Sequence, residues 1–94
     1  MKQINAIIEK NSDGGYSVYC TDEMFSGMGD TAEAAKEDMK GAIKHYVDTC
    51  RQDGYQYPKW LDEEYEIVYK FDAQSLLQYY EGIITPAALG RLSG

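Results

Sequence analysis

Apolar and polar residues alternate from Lys2 to Lys10, with Ile4, Ala6 and Ile8 on one side of an extended chain and Gln3, Asn5 and Glu9 mostly on the other. A period of two predicts a strand. Asn11-Ser12-Asp13-Gly14-Gly15 then interrupts the pattern with residue types that accept positive φ or bond to their own backbone. Tyr16-Ser17-Val18-Tyr19-Cys20 follows at once, so a β-hairpin with a short polar turn is expected. Thr21 to Gly29 has no clear period and carries two glycines and two methionines. It reads as a loop crossing the end of a sheet, with a short third strand near Gly27 to Gly29.

The spacing changes after Asp30. Asp30-Thr31-Ala32-Glu33 offers a capping oxygen followed three residues later by a Glu that can reach back, and Thr31 is a second candidate cap. Ala35, Met39, Ala42, Ile43, Tyr46, Val47 and Cys50 recur at helical spacing, while Lys36, Glu37, Lys40, Lys44, Asp48 and Arg51 fall on the other side. One long helix laid across one face of a sheet is predicted. Gly41 lies inside it, at a cost of about 1 kcal/mol relative to Ala, and close approach of the helix to the sheet or to a neighbour is the expected reason. Asp53-Gly54 ends the helix, Tyr55 to Glu64 reads as a loop, and Tyr65, Ile67, Tyr69 and Phe71 alternate with Glu66, Val68 and Lys70 as a last strand. After Asp72, the groups Leu76-Leu77-Tyr80 and Thr85-Pro86 predict two short helices.

The fold class is therefore α+β, a small antiparallel-rich sheet in the order β-β-(β)-α-β with one helix on one face, followed by short C-terminal helices. Ninety-four residues with 44% hydrophobic content are enough for one modest core. There is no long apolar run of the kind that spans a membrane and no signal-like N-terminus, so a cytoplasmic protein without membrane contact is expected. Sixteen acidic against nine basic residues give a net charge of -7, which repels nucleic acid and attracts a basic partner. Cys20 and Cys50 have neither metal-ligand nor redox spacing and are expected as buried thiols. Nine tyrosines serve equally well as strand residues or as interface rings.

In this order, Asp13-Gly14-Gly15-Tyr16, Gly29-Asp30-Thr31 with Glu33-Ala34-Ala35, and Gly54 with Pro58 resemble the HicB antitoxin family. The resemblance runs from Ile4 to about Phe71, making 1–71 a HicB-like domain and 72–94 a helical tail. Thr21 to Gly27 departs from the family, keeping only Asp22 and Gly27 of its usual Pro-Asp, apolar, Pro, Gly pattern. Leu76 to Tyr80 and Ala87 to Gly94 look like the first two helices of the helix-turn-helix that some HicB proteins carry. The recognition helix would come next, so this form, with Arg91 as its remaining DNA-facing charge, is expected not to bind a specific operator in the usual way.

The resemblance implies a reduced RNase H-like domain that binds and occludes a small basic RNA-cleaving toxin of the HicA type, and that forms a homodimer or higher oligomer. Complementary charge would speed that encounter. The expected contact residues are Asp22, Glu23 and Asp30 around the first long loop and Asp62, Glu63 and Glu64 before the last strand, with Tyr19, Phe25, Tyr57 and Trp60 as aromatic anchors. For the carboxylates the plain alternative is a solvated surface, and for Trp60 a core position under its loop. No enzyme, cofactor or metal is expected: Ile4 to Ile8 supplies no carboxylate for a two-metal nuclease, and His45, the only histidine, has no nucleophile at fixed spacing. The competing expectation is a homo-oligomeric transcriptional regulator without a toxin.

Overall fold

The computed structural model describes residues 1–72, and the expected C-terminal helices and Arg91 lie outside the described residues. Strand β1 (Lys2–Lys10) pairs antiparallel with β2 (Tyr16–Cys20), β2 pairs antiparallel with β3 (Ser26–Gly29), and helix α1 (Ala32–Asp53) leads through a single 3-10 turn (Lys59–Asp62) to β4 (Tyr65–Phe71). β4 joins β1 in parallel, so the sheet reads β3-β2-β1-β4. This is the expected α+β architecture, with the third strand one residue longer than predicted and a 3-10 turn inside what reads as loop.

The hairpin turn forms as its residue types dictate. Gly14 has φ 93°, Asp13 Oδ1 accepts from the Gly15 N–H at 2.9 Å, and the Asn11 N–H donates to the Gly15 carbonyl at 2.7 Å. Ile8 then stands opposite Val18, and Ala6 opposite Cys20. The register puts Ile4, Ala6, Ile8, Val18 and Cys20 on the face toward the helix, all buried. Gln3, Ile7, Glu9, Ser17 and Tyr19 share the opposite face.

Thr31, the second of the two candidate caps, starts the helix: its backbone is extended and its hydroxyl accepts from the Ala34 N–H at 3.0 Å. The helix ends at Gly54, whose φ of 74° lets its N–H reach the Cys50 carbonyl. Between these caps Ala35, Met39, Ile43, Val47 and Cys50 are buried in steps of four, four, four and three residues. Ala42, expected on the apolar stripe, is exposed at its margin.

The close approach expected at Gly41 occurs elsewhere. Gly41 is exposed and a Cβ there would meet nothing within 4 Å. A Cβ on Gly27 would strike the Met39 N and Ala35 carbonyl, and one on Gly29 would lie 2.6 Å from the Ala34 Cβ. The glycines that admit the helix are those of β3, on the sheet side of the contact. Met28 between them points the other way and is 65% exposed, while Asp38 of the helix accepts from its N–H at 2.9 Å.

Candidate functional site

Sheet register decides which loops meet. The Thr21 N–H donates to the Asn5 carbonyl at 3.0 Å, which holds the β2–β3 loop at the end of the sheet where β1 begins. α1 runs from the opposite end toward this one, and Lys2 stands opposite Tyr65 in the parallel pair, so the segment between α1 and β4 arrives here as well. Asp22 and Glu23 from one loop and Tyr57, Trp60, Asp62 and Glu63 from the other thus belong to one pole of the molecule. Asp53, Glu64 and Glu66 add to it, against the cations Lys2, Arg51 and Lys59.

The segment after the helix is fixed by a polar knot. Arg51 Nε donates to the Tyr57 hydroxyl at 2.8 Å, the Tyr57 hydroxyl donates to the Asp62 carboxylate at 2.9 Å, and the Arg51 guanidinium pairs with the same carboxylate. These bonds, to the Tyr57 hydroxyl first and Asp62 second, hold the Arg51 pKa above its ordinary value. Leu61 is buried beneath the knot, and a cleft of about 320 Å³ lined by Val47, Arg51, Leu61, Asp62 and Tyr65 opens between the helix and the 3-10 turn. Trp60 packs edge-to-face on Tyr65 at 5.4 Å between centroids, and Lys2 Nζ lies 5.4 Å from the centre of its ring.

The expected residues divide on these contacts. Asp22, Asp62 and Glu63 are exposed at the pole, and Glu23 and Tyr57 are half-buried there. Trp60 is half-buried against the core, so much of its ring holds the loop down. Phe25 is a correction: it is 6% exposed and meets Tyr46 edge-to-face at 5.4 Å, because the Cys20 N–H bonds its carbonyl and turns the ring under the loop. It is a core residue and offers no ring to a partner. Tyr19 stands apart on the helix-free face of the sheet, its hydroxyl donating to Glu9 at 3.0 Å, and that bond raises its pKa. Asp30 sits beside the helix N-terminus at the far end.

Arg51 and Lys2 escaped the sequence reading. Arg51 lies eleven residues from Asp62 with a turn between them, and no periodicity links the two. Cys20 and Cys50 are free and buried; burial first and Glu23 second raise the Cys20 pKa. His45 is exposed on the outer side of the helix, and among the described residues no three His, Cys, Asp or Glu side chains are placed to hold a metal ion. No described helix is long and apolar enough to cross a membrane. No family model, curated protein or solved structure matches the chain.

Proposed function

We propose that the protein is a binding domain that masks a small basic macromolecule by occlusion, without chemistry of its own, and that its partner is an RNA-cleaving toxin of the HicA type. The observation that carries this reading is the pole itself. Two loops distant in sequence deliver Asp22, Glu63 and Glu64 to the same end of the sheet, and the Arg51–Tyr57–Asp62 knot holds one of them in a set conformation. A surface already ordered loses little entropy on binding, and its charge steers a cationic partner while competing with that partner's attraction to RNA. The motifs that resemble the HicB family name the partner class to try first.

The test is co-expression with an adjacent reading frame that encodes a small basic, histidine-containing protein. Relief of its toxicity and co-purification of a complex are expected. Changing Asp22, Glu63 and Glu64 together to Lys should weaken capture at least about tenfold while leaving the melting temperature of the free domain within a few degrees, because exposed charges contribute little to folding. Toxicity that persists with no complex formed would dispose of the reading.

A further inference from the structure

The two edges of the sheet are not alike. At one edge, β3 spans four residues and Asp38 caps the Met28 N–H, which blunts it against strand addition. At the other, β4 is seven residues long and no described strand lies beyond it. In a parallel pair, successive residues alternate between bonding to the neighbouring strand and turning both backbone groups away from it. The Asp72 N–H donates to the Ile8 carbonyl at 3.1 Å, and with the register this sets Glu66, Val68 and Lys70 toward β1, leaving the N–H and C=O of Tyr65, Ile67 and Tyr69 directed outward.

The side chains on this strand leave the same area open. α1 packs over β2 and β3, while Tyr65, Ile67 and Tyr69, on the helix side of β4, are only half-buried. A groove of about 420 Å³ lies between them and Lys40. The Tyr69 hydroxyl is buried there without a hydrogen-bond partner.

We propose that β4 is a self-association edge, where it pairs antiparallel with β4 of a second copy about a twofold axis through Val68. The sequence of the strand, Tyr65-Glu66-Ile67-Val68-Tyr69-Lys70-Phe71, complements itself in that register. Ile67 meets Tyr69 of the second copy, both through outward backbone groups, as hydrogen-bonded pairs require. Glu66 meets Lys70 of the second copy twice, in the pairs without backbone bonds, where opposed side chains come closest. Neither charge has an ionic partner within the described chain; Glu66 accepts only from Gln3 at 3.1 Å. Only in this register do all four outward residues of β4, from Tyr65 to Phe71, face outward residues of the second copy. Sliding by two residues either way leaves one of them beyond the end of the other strand, and replaces the Glu66–Lys70 pairs with Glu66 against Asp72 in one direction and with Lys70 against Glu64 in the other.

The paired sheets form one eight-stranded sheet with both helices on the same face, and the two sets of Tyr65, Ile67 and Tyr69 share the trough between the helices. This arrangement shares only Glu66 with the acidic carboxylates of the pole, does not depend on what the pole binds, and leaves the two poles at opposite ends.

Sedimentation equilibrium of the full chain tests the proposal, with far-UV circular dichroism confirming that each variant is folded. The wild type is expected as a dimer. Glu66→Lys and Lys70→Glu should each weaken association at least about tenfold, since each turns two attractive pairs into repulsive ones, and the double reversal should return it to within about threefold of wild type. A monomeric wild type, a dimer indifferent to either single change, or failure of the double reversal to restore association would each overturn it.

Discussion

Gly27 and Gly41 carry the same side chain for opposite reasons. At Gly27 the backbone of the helix occupies the space a Cβ needs, so Gly27→Ala must push α1 away from the sheet, and a loss of about 3 kcal/mol or more is expected in urea denaturation. At Gly41 that space is open and the φ is helical, so Gly41→Ala should raise stability by about 0.5–1 kcal/mol through helix propensity alone. A pair of results with the same sign would contradict the packing described. Phe25 teaches a similar lesson: in sequence it sits among Met24, Ser26 and Gly27 with no periodic signal, and only its contact with Tyr46 shows that a loop residue belongs to the core.

Helix α1 is defined at both ends by single residues. Thr31 supplies the one side-chain bond to the first-turn amides, from Ala34, while Asp30 stands a residue too early to do so. Thr31→Ala is therefore expected to cost about 1 kcal/mol, and Asp30→Ala distinctly less, measured by the same denaturation. The helix stripe was readable because five core positions, from Ala35 to Cys50, repeat at helical spacing within a helix of 22 residues. β4 was readable as a strand from its alternation, but nothing in it announced a parallel partner. That followed from the crossover: α1 runs back along the sheet over β3 and β2, and the segment after it carries the chain to the far side of β1, so that β4 enters from the end where β1 begins.

For the molecule as a whole, burial holds several acids in their neutral forms. Cys20 and Tyr69 are raised chiefly by burial, as is Tyr46, so in each case the unfolded chain ionises first as pH rises. Stability should be fully present below the ordinary thiol range, about 8.5, and decline above it, first through Cys20 and then through the tyrosines. Cys20→Ala should remove the earlier part of that decline in melts taken from neutral to alkaline pH; an unchanged profile would show that the thiol is not the group responsible. The acidic pole belongs to this scale too, since the sequence names the carboxylates of both loops but only the sheet register brings the two loops to one end.

Local order came from the sequence alone: the hairpin, the helix with its stop at Gly54, the last strand, and the alternation that sorts Ile4, Ala6 and Ile8 from their polar neighbours. These depend on residues a few positions apart, whose φ preferences and spacing act before any long-range contact exists. Strand order, the glycines that admit the helix, the burial of Phe25 and the Arg51–Asp62 pair were settled by the tertiary structure. Each joins segments far apart along the chain, and sequence periodicity holds no record of which surfaces meet when the chain closes on itself.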